Sequence, residues 1–80
     1  MRPEHEFFVA VEWDEEAQVW YVADSDVPGL ATEAPSMDQM IAKLKVMVPE
    51  LLEENGVIEA VHAEVPFALM ANVAGIASRA

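Results

Sequence analysis

Residues 7–24, Phe-Phe-Val-Ala-Val-Glu-Trp-Asp-Glu-Glu-Ala-Gln-Val-Trp-Tyr-Val-Ala-Asp, decide the fold. From His5 to Trp13 the side chains alternate strictly. Phe7, Val9, Val11 and Trp13 fall on one face, with Glu6, Phe8, Ala10 and Glu12 on the other. A period of two in aromatic and β-branched residues specifies a strand with one core face. Asp14-Glu15-Glu16-Ala17 is a polar stretch of hairpin length. Gln18 to Asp24 then alternates again, Trp20 and Val22 against Val19, Tyr21 and Ala23. The two runs predict an antiparallel hairpin.

Working outward, Asp26-Val27-Pro28-Gly29 signals a turn. Proline presets φ, and glycine allows the positive φ that a type II turn needs at its third position. Leu30 to Glu33 is then a short third strand. Ser36-Met37-Asp38-Gln39 has the form of a capping box. Behind it Met37, Met40, Ile41, Leu44, Met47, Val48, Leu51 and Leu52 recur at spacings of three and four, the stripe of an amphipathic helix. Pro49 interrupts the pattern, and an interior proline costs on the order of 3 kcal/mol. The stripe stays in phase across it, which predicts one helix of about five turns with a bend near 45–49; a break opening a second helix at Pro49 is the alternative. Gly56 is a candidate left-handed stop.

Val57 to Val65 alternates less cleanly and is read as a fourth strand stopped by Pro66. Phe67 to Ala80, rich in small residues, is read as a tail with a possible short helix. The expected architecture is therefore α+β, an antiparallel sheet with one long helix on one face, in the order β-β-β-α-β. The domain spans residues 1–66 and the tail 67–80. One helix covers one face only, so the far face, with Phe8 and Tyr21, is left for another sheet or subunit.

Composition narrows the function classes. The 80 residues suffice for one domain, which buries only about 60–65% of its unfolded surface. The hydrophobic share of 54% argues against disorder and leaves apolar surface for self-association, so a homodimer or higher homo-oligomer is expected. There is no cysteine, hence no disulfide or thiolate zinc staple. No signal peptide is visible, and the longest apolar run falls short of the roughly 20 residues of a membrane span. A soluble cytoplasmic protein without membrane contact is expected.

Fifteen acidic residues against four basic ones give a formal charge of −11. Nucleic-acid binding relies on cations that neutralise phosphates. Arg2, Lys43, Lys45 and Arg79 are scattered along the chain, so direct nucleic-acid binding is not expected. A basic protein partner suits the field better.

The run FFVAVEWDEEAQVWYVADSDVPGLATEA followed by SMDQMIAKLKVMVPELLEENG resembles the short HicB-like proteins related to the antitoxins of HicA–HicB toxin–antitoxin pairs. Asp14-Glu15-Glu16, Trp20, Asp24, Asp26, Pro28-Gly29 and the helix from Ser36 carry the likeness, which covers residues 5 to 65. The resemblance implies a β-β-β-α-β fold like that of a double-stranded-RNA-binding module or a truncated ribonuclease-H domain. It also implies an antitoxin that masks HicA, a small basic mRNA interferase. Many relatives carry a C-terminal DNA-binding domain for autorepression. Fourteen residues after Pro66 are too few for one, so autorepression is not expected of this sequence.

Catalysis finds little support in the residues. No nucleophile sits in a recognisable motif, and no phosphate loop or zinc-protease pattern occurs. His62 with Glu64, and His5 between Glu4 and Glu6, would need further metal ligands from elsewhere. The ribonuclease-H likeness raises a two-metal carboxylate site built from Glu12, Asp14, Asp24 and Asp26, against a solvated hairpin end as the simpler alternative. No catalytic residue, metal or cofactor is assigned. The candidate partner-binding residues are Asp14, Glu15, Glu16, Trp20, Tyr21, Asp24, Asp26, Pro28 and Gly29. Trp13 and Trp20 are read as core before anchors, and Met37, Met40 and Met47 as core.

Overall fold

The computed structural model describes residues 6–57 and 65–72. In chain order these form strand β1 (Phe7–Asp14), strand β2 (Val19–Ser25), strand β3 (Glu33–Ala34), helix α1 (Met37–Glu54) and strand β4 (Phe67–Asn72). The four strands make one sheet in the order β3-β2-β1-β4.

The hairpin is as the alternation predicts. β1 and β2 are antiparallel, with Trp13 opposite Trp20 and Val11 opposite Val22. Between Ala10 and Val11 the register shifts, so that Ala10 faces Asp24 and Ala23 is left over. A bulge of this kind adds one residue and resets which side the following residues face. Without it, strict alternation from Trp20 and Val22 would send Asp24 into the core. With it, Asp24 points outward and Ser25 takes the inner side. The Ser25 hydroxyl donates to the Phe8 carbonyl at 3.0 Å and accepts from the Val27 amide at 2.9 Å.

The turn after β2 also follows the prediction. The Leu30 amide donates to the Val27 carbonyl at 3.3 Å, and Gly29 has φ of 72°. That is a type II turn with proline and glycine in their preferred places. A Cβ at Gly29 would meet Leu51 Cδ2 at 3.9 Å, so the turn lies over the C-terminal half of α1. The third strand comes later and is shorter than Leu30–Glu33, at Glu33–Ala34, although the Val22 amide already bonds the Thr32 carbonyl at 3.1 Å.

α1 is one continuous helix of 18 residues with Pro49 inside it; no break occurs there. The carbonyl that Pro49 leaves without its usual donor belongs to Lys45, an exposed residue with access to water. At the N-terminus Ser36 Oγ accepts from the Gln39 amide at 3.2 Å. Its hydroxyl donates to Gln39 Oε1 at 3.0 Å, so Gln39 closes the box on the side chain instead of the backbone. At the C-terminus Gly56, with φ of 71°, donates to the Glu53 carbonyl and Val57 to the Leu52 carbonyl. Those paired bonds are a Schellman ending.

Met40, Leu44, Val48 and Leu52, four residues apart, are fully buried against Val9, Val11, Val27 and Ala34. Burial of each such side chain contributes about 1.5–3 kcal/mol. Phe7, Trp20, Val22, Leu30, Phe67 and Leu69 surround this cluster.

Two expectations are corrected at the C-terminal end. Among the described residues the fourth strand is Phe67–Asn72, in place of the start of the tail or short helix expected there, while the strand expected over Val57–Val65 falls mostly on residues outside the described ones. Val57 and Val65 lie outside any strand, while residues 58–64 and 73–80 fall outside the described residues. The sheet is also mixed rather than antiparallel, because β4 runs parallel to β1 from Phe7 opposite Phe67 to Glu12 opposite Asn72. The physical reason is the helix. β3 is antiparallel to β2 and so runs with β1; a helical crossover returns the chain to the same end, and the next strand repeats the direction. Pro66 immediately precedes β4, and its carbonyl accepts from the Phe7 amide at 3.3 Å.

Candidate functional site

α1 covers the face carrying Val9 and Val11, and among the described residues no element covers the opposite face of the sheet. Alternation and register place Phe8, Ala10 and Glu12 of β1 there, beside Tyr21 and Asp24 of β2 and Ala68, Met70 and Asn72 of β4. Tyr21 is 36% exposed and Met70 50%. The centre of the face is apolar, and carboxylates stand at its rim.

At the hairpin end this face runs into a concave region of about 650 Å³ lined by Trp13, Asp14, Glu15, Glu16, Ala17, Val19, Tyr21 and Glu33. The hairpin that forms it is held by its own side chains. Asp14 Oδ1 accepts from the amides of Glu16 at 3.0 Å and Ala17 at 3.2 Å, an Asx-type turn. The Gln18 amide donates to the Asp14 carbonyl at 2.8 Å, and Gln18 adopts the left-handed region with φ of 58°. Glu15 Oε2 accepts from Trp13 Nε1 at 2.6 Å, which fixes the indole. Glu16 is exposed, and among the described residues its side chain makes no hydrogen bond. The Tyr21 hydroxyl donates to Glu12 Oε1 at 3.2 Å. The Glu12 charge raises the Tyr21 phenol above the ordinary tyrosine range; the hydrogen bond, slight desolvation and the Asp14 charge push the same way. A negative field therefore lies over the ring.

The sequence-predicted residues do not all meet. Asp14, Glu15, Glu16 and Tyr21 share the hairpin-end region. Trp20 is on the other face, where its ring meets Trp13 edge to face at 5.4 Å beside Pro35, Ser36 and Met37. Asp24 lies towards the far end of β2, and Asp26, Pro28 and Gly29 lie beyond that end, away from the hairpin. Asp26 Oδ1 accepts from the Phe8 amide at 2.9 Å and so prolongs the ladder beyond the last residue of β2. Asp24 Oδ1 accepts from the neighbouring Ser25 amide, and Pro28 and Gly29 form the turn against Leu51.

Asp24 is opposite Ala10, four residues from Asp14, or about 13 Å along the strand. No group of three or more histidines and carboxylates among the described residues converges as a metal site. His5, His62 and Glu64 lie outside those residues. Glu12, Val19 and Glu33 were not singled out as partner-binding residues, yet all three share this face or its hairpin-end hollow. The signal for them was the hairpin register: once Trp13 is paired with Trp20, Glu12 must stand beside Tyr21, and Glu33 beside Tyr21 on its other flank.

A family model described as "Domain of unknown function (DUF1902)" matches residues 6–77, and the chain belongs to that family. A crystal structure of a hypothetical protein from the extremely thermophilic bacterium Thermus thermophilus is similar at 45% identity, with a TM-score of 0.67 over 94% of this chain and 100% of that one. No curated protein matches the sequence. Among the described residues no helix is long and apolar enough to cross a membrane.

Proposed function

We propose that this chain is a HicB-like, non-catalytic binding module that masks a basic protein, of which a HicA-like mRNA interferase is the representative. The observation that carries this reading is the hairpin-end hollow, where Trp13 and Tyr21 are ringed by Asp14, Glu15, Glu16 and Glu33. Aromatic faces within reach of carboxylates suit lysine and arginine side chains, through both charge and cation–π attraction. The overall charge of −11 would speed the encounter. Asp14 and Asp26 act in this scheme mainly by holding the hairpin and the end of the ladder, while Glu16, Glu33 and Tyr21 face the partner. Nucleic acid is not a direct ligand here. Of the two described cations, Lys43 already donates to the Glu33 carbonyl at 2.6 Å.

The test is capture with tagged wild-type chain and with a Glu16→Lys/Glu33→Lys double variant, at low and high salt. A small basic protein bound at low salt, released at high salt, lost by the double variant and carrying a ribonuclease activity that added chain suppresses is the expected result. Capture that ignores both salt and the charge reversal would sink the reading. So would a captured ribonuclease that stays active when bound.

A further inference from the structure

The two borders of the sheet are built differently, and one of them is self-complementary. On the β3 side the last strand has two residues, ends at Pro35, and has its Glu33 carbonyl occupied by Lys43. Short strands, proline and charge are the usual means of closing an edge. β4 has none of them. Phe-Ala-Leu-Met-Ala-Asn contains no charge and no proline, and all six residues pair with β1 on the inner side only. Among the described residues nothing pairs with its outer side.

The outward groups follow from the register. The Phe7 amide bonds the Pro66 carbonyl, and Phe7 is opposite Phe67. In a parallel ladder of that phase Pro66, Ala68, Met70 and Asn72 turn their backbone groups towards β1. Phe67, Leu69 and Ala71 must turn theirs outward. A two-fold axis perpendicular to the sheet would set β4 antiparallel to its own copy and keep both core faces on one side. Opposed residues must then point the same way, which allows Leu69 opposite Leu69. In that register Phe67 faces Ala71, and every outward donor and acceptor of these three residues has a partner. The register one step along, with Met70 opposite Met70, pairs only Leu69 with Ala71 among the outward groups of the described strand and carries Phe67 past its end. The chosen register also brings Ala68 against Met70, covering a side chain that is 50% exposed.

We propose that a second copy of this chain pairs with β4 in this register, giving a two-fold dimer with a continuous eight-stranded sheet. A basic partner fits this border less well, because its attracting carboxylates are on the hairpin end and β3. Like-charge repulsion between copies is least where the meeting strands carry no charge.

The experiment uses the full chain. Light scattering gives the mass of a dimer for wild type and of a monomer for Ala71→Pro, which removes an outward amide and no bond to β1. Circular dichroism and a thermal melt check that the variant is folded. Because the chain has no cysteine, Ala68→Cys and Met70→Cys supply an independent test. As a non-hydrogen-bonded antiparallel pair their Cα atoms would lie about 4.5 Å apart, inside the disulfide range of about 4.4–6.8 Å. The oxidised mixture is expected to crosslink, and neither variant alone, since each is about 7–8 Å from its own counterpart. A wild-type monomer at high concentration overturns the proposal, as does a dimer that survives Ala71→Pro. Equal crosslinking of each variant alone does the same. So does a monomeric chain in which Ala71→Pro abolishes capture of a basic protein, which would assign the border to that partner. The Glu16→Lys/Glu33→Lys variant loses its partner and keeps its dimer, so failure of the masking role and of the dimer are told apart.

Discussion

The β3 and β4 borders are the same length of problem solved in two ways. At β3 the chain spends two residues in the sheet, buries Ala34 to 1% exposure, turns at Pro35 and starts the helix at Ser36. At β4 it spends six residues and leaves their outer side without a neighbour among the described residues. The difference shows that sheet closure here is local work by a few polar and conformationally restricted residues. An apolar strand without them stays available for pairing, whatever the net charge of the molecule.

The largest expected effect breaks the closed side. Ala34→Asp places a carboxylate in a fully buried position, and burial without a partner costs at least about 3 kcal/mol. Urea denaturation should show most of a small domain's stability gone, whereas the same change at the exposed Ala71 should leave the monomer's stability within about 0.5 kcal/mol. Next is Ser36→Ala, which removes the acceptor for the Gln39 amide beside that border. A loss of about 1 kcal/mol in the same titration is expected.

Smaller still is Lys43→Met, which keeps the aliphatic stem and loses the bond to the Glu33 carbonyl, at about 0.5–1 kcal/mol. If it also raises the association state measured by light scattering, the lysine guards the border. An unchanged mass would show that two residues and a proline are guard enough.

The least perturbing probe reads charge on the strand next to the closed border. Tyr21 is the only tyrosine, so its phenolate absorbance can be titrated alone. Glu12→Gln should lower its midpoint towards the ordinary tyrosine range, because the Glu12 charge is the first cause of the upward shift. For the wild type the sign is fixed: a raised phenol favours the folded state below the ordinary tyrosine range, and that share is lost as pH climbs through the raised value. A midpoint that does not move would mean the hydrogen bond seen between the two side chains is not formed in solution.

The hairpin, the Pro-Gly turn, the helix with its caps and most of the core were legible because each rests on contacts close in sequence. Alternation gave the faces of β1, and Pro28-Gly29 gave the turn. The unbroken stripe from Met40 to Leu52 outweighed Pro49, since four fully buried side chains exceed one missing amide bond. β4 was not legible. Alanine, leucine and methionine prefer helices, and only β1 beside them makes a strand of Phe67–Asn72; strand preference depends on neighbours more than on the residue itself. Its direction was equally hidden, because it depends on a crossover and not on composition. At the candidate site the acidic hairpin end could be read, but not that Trp20 and the Pro28-Gly29 turn lie away from it. That needs the register, and a bulge at Ala23 shifts the register without any sequence signal as plain as a glycine.

That bulge bears on how such a chain can change length. A strand counts residues in twos, and Ala23 is the odd one. Deleting it would close the bulge and leave Asp24 opposite Ala10 and Ser25 opposite Val9, each on the side it now takes, whereas losing one residue more would exchange inside for outside at every later position of β2. A deletion of two residues that spares the bulge would keep the sides right and shorten the reach to the Pro28-Gly29 turn. Homologous chains that differ in length here should therefore differ by even steps, or else carry their extra residue at this same place.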